Sequence, residues 1–509
     1  MIKNFKWLLL VSLTFMACDS NDDEAIVEEP LTAGTANFSN YVSLGNSLTA
    51  GFSDNALFKK GQEGSYANIL SQQFALVGGG AFKIPYTSDN TGGLLFGGAQ
   101  NPAFGPRLYF NGTAPVSVAG TPTTEVFNPA VAAAGPYNNV GVPGAKSFHL
   151  LSPTYGSAAG LATGTANPYY VRFAPNGTTS VLSYAMSQKP TFFSLWIGNN
   201  DVLGYATTGG DGSSTITPSA GPPGVGFDAT YGALVNTLTS ESAKGVVANI
   251  PYVTTIPFFT TVPFSPITAK VLGGGSEAVG VATINALNAQ LYGPLKNALT
   301  FFGAGARINL LSATAANPLL IKDESLTDLS AQLTAAFTPS LGAGTAAFYG
   351  SVFGQARQAT AADLVLLTTQ GAIGATPPGP ATALNKLGIT YPLQDKHILI
   401  PTEIAELKAA TDLFNITIKT LADSKGLAFV DANAIMSQLF NGGIVSNSFT
   451  MLSTFVTGGS FSLDGVHPSP RGQALLANKF ILAINAKYGS NLKGVDLGSY
   501  PILYPATLQ

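Results

Sequence analysis

Asp464-Gly465-Val466-His467-Pro468-Ser469 sets a carboxylate three residues before an imidazole, in a chain with only three histidines. A carboxylate can hold an imidazole in one tautomer, and an imidazole so held can take the proton of a serine hydroxyl, which alone is a poor nucleophile at neutral pH. The serine this chemistry needs is offered by Gly45-Asn46-Ser47-Leu48-Thr49-Ala50-Gly51, directly after the strand-like run from Tyr41 to Leu44. Gly465 permits a tight turn, so Asp464 and His467 can act from a single loop, with Asp464 on one ring nitrogen and Ser47 at the other.

An attacked carbonyl develops negative charge, and each donor that meets it is worth roughly 10²–10³ in rate. Trp196-Ile197-Gly198-Asn199-Asn200-Asp201 leaves a strand-like run with an amide side chain, Asn200, placed to donate. Gly141-Val142-Pro143-Gly144-Ala145 leaves another with Gly144, a residue whose backbone N–H can approach a ligand closely. Competing chemistries find less support. No Gly-x-Ser-x-Gly elbow occurs, no phosphate-binding loop occurs, and Gly303-Ala304-Gly305 is too short for a dinucleotide fingerprint. His149 and His397 read as loop histidines without catalytic duty, and Asp201 as a brace for its loop. Three scattered histidines and one cysteine give a structural zinc ion no ligand set, so neither metal nor cofactor is expected.

The elements that must position these groups are five short apolar runs: Tyr41 to Leu44, Asn139 to Val142, Thr191 to Ile197, Gly245 to Ile250 and Leu427 to Val430. Their length and continuity predict buried parallel strands. Tyr66, Ile69, Leu70 and Phe74 repeat at helical spacing, as do Ile404, Leu407, Phe414, Ile418 and Leu421 within a helix that Thr402 is expected to cap. A last helix is expected from an N-cap at Ser469, with Pro470 at its first position, to Gly489. Strands alternating with helices predict an α/β fold around a parallel sheet. Segments 78–136 and 204–230, rich in Gly, Pro, Thr and Asn, read as loops with short strands. Segment 264–400 differs, because Ala282 to Leu299 and Leu326 to Phe337 have helical composition; a lobe or cap is expected there.

With these blocks in view, the chain resembles the SGNH, or GDSL-like, hydrolase family: Ser47, Gly144, Asn200 and His467 fall in the order and contexts of that family's four blocks. The resemblance covers 38–74, 137–148, 190–203, 245–258 and 402–487. It implies a flavodoxin-like three-layer α/β/α sandwich with a mainly parallel five-stranded sheet, Ser47 as nucleophile, and Asp464 and His467 as its partners. It also implies an oxyanion hole from the Ser47 and Gly144 N–H groups and the Asn200 side chain. Asn46 departs from the Asp of the family's name, which changes the charge of the loop and removes no triad member.

Lys3 and Lys6 precede an apolar run from Trp7 to Ala17 that is too short to span a bilayer and fits a secretory signal, 1–17. Cys18, the only cysteine, follows at once, and Phe15-Met16-Ala17-Cys18 resembles a bacterial lipobox with Phe15 in place of the usual Leu. Lipidation at Cys18 is therefore expected. Asp19, Asp22, Asp23, Glu24, Glu28 and Glu29 make the next stretch an acidic, aromatic-free tether, 18–37. It resembles the acidic export signal of some Gram-negative surface lipoproteins, which implies an exported protein held on the outer membrane or cell surface by an N-terminal acyl anchor. Val246 to Phe264 is apolar but is broken by Pro251, Pro257 and Pro263. The net charge of −3 offers no steering of nucleic acid.

The organisation expected is thus a signal peptide, a tether, a hydrolase domain over 38–490 with the three insertions, and a tail over 491–509. The function expected is a serine esterase that cleaves carboxylic esters, whether lipid, acetyl-glycan or small acyl, through an acyl-serine intermediate. The alternative is a surface lipoprotein that keeps the fold and uses the insertions to bind glycan or a protein partner, since fold alone does not guarantee chemistry.

Overall fold

The computed structural model describes residues 29–377 and 384–508. The signal sequence, Cys18 and the acidic residues through Glu28 lie outside the described residues. The five apolar runs form one parallel sheet: β1 (Tyr41–Gly45), β2 (Asn139–Gly141), β3 (Phe192–Trp196), β4 (Lys244–Ala248) and β5 (Ala428–Val430). Its order is β5-β4-β3-β1-β2. Among the helices between and after the strands, those that frame the sheet are α1 (Ser47–Ala50), α2 (Tyr66–Ala75), α3 (Val181–Met186), α4 (Asn199–Thr207), α5 (Phe227–Leu238), α6 (Pro401–Ser424), α7 (Ala432–Asn441) and α8 (Pro470–Tyr488).

Strand side chains alternate, so each strand supplies both faces of the sheet. Val42, Leu44, Phe193, Leu195 and Val247 join one core with Leu182, Leu234, Phe414 and Ile418 of α3, α5 and α6. Tyr41, Phe192, Trp196, Val246 and Val430 join a second core with Phe74 of α2 and Phe480 and Ile484 of α8. Because both faces are covered, the strands read as continuous apolar runs.

Local signals explain where the helices stop and start. The Ser469 hydroxyl accepts the Gly472 N–H, Pro470 stands at the first helical position, and α8 ends on Gly489 in the left-handed conformation, all as expected. α6 corrects the expectation for Thr402. The helix begins at Pro401, whose missing N–H costs nothing there, and Glu403 accepts the Ile400 N–H at 2.8 Å, so Thr402 lies within the first turn.

The insertion over 78–136 carries two small hairpins, Leu95–Phe96 with Ala99–Gln100 and Leu108–Phe110 with Pro115–Ser117. Segment 204–230 is less loop-like than its composition implies, since α4 ends and α5 begins inside it. Segment 264–400 folds around its own apolar cores, with Ile284, Leu295, Leu333 and Phe353 in one and Ile267, Leu319 and Ile398 in another.

The expected end of the flexible tether is corrected. The tether was expected to run to residue 37, yet the Thr35 N–H donates to the Tyr488 carbonyl at 2.8 Å and Asn491 bonds to Thr32 and Pro30. The segment expected as a tail is packed: Leu492, Leu497 and Tyr504 are buried, and Arg107 donates to the carbonyls of Pro505 and Ala506 at 2.7 and 2.9 Å. Guanidinium donors that end on backbone carbonyls leave no trace in the sequence of the accepting segment.

Candidate active site

In a parallel sheet all strands point the same way, so residues that follow their carboxyl ends gather at one edge. The register makes this concrete: Gly45 lies between Gly141 on one side and Trp196 on the other. Ser47 comes two residues after Gly45, Gly144 three after Gly141, and Asn200 four after Trp196. The close approach rests on glycine, because a Cβ at Gly141 would sit 2.5 Å from the Ala50 nitrogen and drive β2 from α1.

The loop before α8 closes on the same edge. His467 Nε2 stands 2.8 Å from Ser47 Oγ, and His467 Nδ1 stands 2.9 Å from Asp464 Oδ2. The carboxylate faces Nδ1, so Nδ1 carries the proton and the Nε2 lone pair faces the serine. Asp464 has every lone pair engaged: Oδ1 accepts the N–H groups of Val466 and His467, and Oδ2 also accepts the Asn55 N–H. Burial by itself would raise its pKa; the charge of His467 and these hydrogen bonds outweigh burial and hold it at about 2. Gly465 has φ +72°, and its carbonyl accepts the Phe258 N–H at 2.9 Å, so the turn needs glycine and is tied down from β4's side.

The groups expected to serve as oxyanion donors are braced separately. Among the described residues, no backbone acceptor engages the N–H of Ser47 or of Gly144. Asn200 spends one amide hydrogen on the Ala145 carbonyl at 2.9 Å, which fixes the side chain and leaves its second hydrogen available. Asp201 accepts both the N–H and the hydroxyl of Ser147, at 2.8 and 2.7 Å, and so ties the loop that carries Gly144 to the start of α4. Asn46 accepts the Leu48 N–H and caps α1.

His149 and His397 lie apart from this group. Each accepts a backbone N–H three residues upstream through Nδ1, from Lys146 and Gln394 respectively. Burial, then Lys146, lowers the His149 pKa to about 4.

Sequence reasoning missed Asp54 and its neighbours. Asp54 is 1% exposed and has φ +50°; its Oδ1 accepts the Leu463 N–H, its own N–H donates to Ser462 Oγ, and its Oδ2 has no partner. These bonds clamp the turn after α1 to the loop that holds Asp464 and His467. Burial, and next the charge of Asp464, push the Asp54 pKa up to about 7, against the Leu463 N–H and the charges of Arg107 and His467. The only sequence signal was an Asp-Asn pair, the residue types that tolerate positive φ, seven residues past Ser47.

A carboxyl whose folded pKa is raised favours the fold while it is neutral. Its contribution is complete below about pH 4 and is lost as pH rises through about 7. Asp54→Asn, neutral throughout, should therefore gain on the wild type by on the order of 2 kcal/mol between pH 5 and pH 8. Urea titrations of both proteins at the two pH values check this; a difference that does not change with pH would show that Asp54 is already ionised.

A pocket opens at Ser47 and His467 and is walled mostly by apolar side chains from α4, the turn after β4, α7 and α8. None of the described residues of the 264–400 insertion lines it. No protein-family model, no curated protein and no solved structure matches the chain.

Proposed function

We propose that the protein is a serine ester hydrolase of the SGNH, or GDSL-like, family. The observation that carries the reading is the unbroken relay from Asp464 through His467 to Ser47, with both contacts under 3 Å. The sheet order 2-1-3-4-5 is that of flavodoxin-like folds, and the two cores on opposite faces support the three-layer α/β/α form.

In this mechanism Ser47 Oγ attacks the ester carbonyl as His467 Nε2 takes its proton. The oxyanion is met by the N–H groups of Ser47 and Gly144 and by the free amide hydrogen of Asn200. The imidazolium, stabilised by Asp464, returns its proton to the leaving alcohol. Water then enters, His467 deprotonates it, and attack on the acyl-Ser47 ester releases the acid and restores the serine.

The reading extends to place. A signal over 1–17 and lipidation at Cys18 would export the enzyme and hold it on the outer membrane or surface of a Gram-negative cell, with the membrane and an ester as its partners. The chemistry is tested by a fluorophosphonate probe and p-nitrophenyl butyrate. The wild type should label and turn over, and Ser47→Ala should lose labelling and at least about 10⁴-fold in kcat. Undiminished hydrolysis by the Ser47→Ala protein would sink the assignment.

A further inference from the structure

We infer that the pocket beside Ser47 is a binding site for the hydrocarbon chain of the acyl group, so that the preferred substrates are esters of medium and long fatty acids rather than acetyl esters. The inference rests on the hydrolase reading and adds the substrate class to it.

The composition of the wall is the first argument. The polar groups that line the pocket are Asn46, Ser47, Asn199, Asn200, Ser460 and His467, and all but Ser460 belong to the reacting groups or adjoin them in sequence. Beyond them the wall is hydrocarbon, with Leu203, Ile256, Ile435, Met436, Leu439 and Leu475 as its main members. Among the described residues, no charged side chain lines it. A sugar ring would leave its hydroxyls unpaired against such a wall, at a cost that a methylene chain does not incur.

The extent of the apolar wall is the second. Ala432 and Leu439 both line the pocket, and the stretch of α7 between them is about 10 Å long. An acetyl group would touch only part of this wall, whereas a longer chain would cover more of it, each buried methylene adding to transition-state binding. Met436, with three rotatable bonds, lets the wall adapt to chains of different length.

The third is attachment. The pocket begins at the nucleophile, and the group that stays on the enzyme after the first step is the acyl group. A chain held there remains anchored while the alcohol departs past His467.

The test varies one side of the ester at a time. With p-nitrophenol as the constant leaving group, kcat/KM should rise at least about tenfold from the acetyl to the decanoyl ester. Lengthening the alcohol of acetate esters should bring no comparable rise. Ile435→Trp should lower the decanoyl-to-acetyl ratio about tenfold, and Leu439→Phe should lower it in the same direction if the first variant folds poorly. Catalysis is bypassed by calorimetric titration of dodecanoic acid into the Ser47→Ala protein, where binding is expected and Ile435→Trp should weaken it. Absent dodecanoic acid binding, a ratio unmoved by both wall variants, or a preference that follows the alcohol would each overturn the inference. A protein that binds dodecanoic acid yet neither labels with fluorophosphonate nor turns over any ester would keep the pocket and refute the hydrolase.

Discussion

Asp464→Asn should lower kcat by about 10⁴ while leaving KM within a few-fold and the far-ultraviolet circular dichroism unchanged. The loss follows from hydrogen-bond arithmetic. Asp464 accepts from four N–H donors, two on each oxygen. An amide has one oxygen, so one pair of donors must face an NH₂ group. If the NH₂ faces Val466 and His467, the loop loses the two bonds that shape it. If it faces His467 Nδ1, that nitrogen must become an acceptor, the proton moves to Nε2, and the ring can no longer take the Ser47 proton. Either outcome disables the base. Steady-state kinetics with p-nitrophenyl butyrate reads the effect, and a loss smaller than tenfold would remove Asp464 from the relay.

Phe480→Ala should cost about 3–5 kcal/mol of stability, among the largest effects of any single truncation on this side of the sheet. Phe480 is fully buried, its ring stacks on Tyr66 at 4.8 Å, and it meets Trp196 at 5.8 Å. Tyr66 in turn hydrogen-bonds Thr49 of α1 at 2.8 Å, so the side chain supports the helix that carries Ser47 through one intermediary. The cavity left behind would be bounded by three rigid elements, β3, α2 and α8, which cannot easily collapse into it. Urea denaturation should show a lower midpoint at an unchanged slope. A cost below about 1 kcal/mol would mean that α8 can settle onto the sheet without this ring.

Much of the frame was legible because its signals are local. Each strand announces itself by a short apolar run, and Ser469-Pro470 with Gly489 marks both ends of α8 within a few residues. The relay was legible for a different reason: few residue types can do the chemistry, and three histidines left little choice. What escaped was carried by contacts without a residue signature. Asp54 acts through one backbone N–H and one hydroxyl far along the chain, and a buried carboxyl is unexpected from composition. The segment after Gly489 lacks periodicity, yet it is fixed by Arg107, Tyr504 and isolated apolar contacts. Ile435, Met436 and Leu439 have the spacing of an ordinary core-facing helix, and only the neighbouring turn after β4 makes that face a wall.

The bond from the Thr35 N–H to the Tyr488 carbonyl fixes where the chain enters the domain. That bond sits at the far end of α8, a helix of 19 residues whose other end adjoins the catalytic loop. At 1.5 Å per residue the two ends are about 28 Å apart. The chain entry and the loop that carries Asp464 and His467 therefore lie at opposite ends of one helix. Under the proposed anchorage at Cys18, the membrane attachment would enter the domain beside the end of α8 remote from Ser47 and His467, so the tether would not need to pass the proposed site.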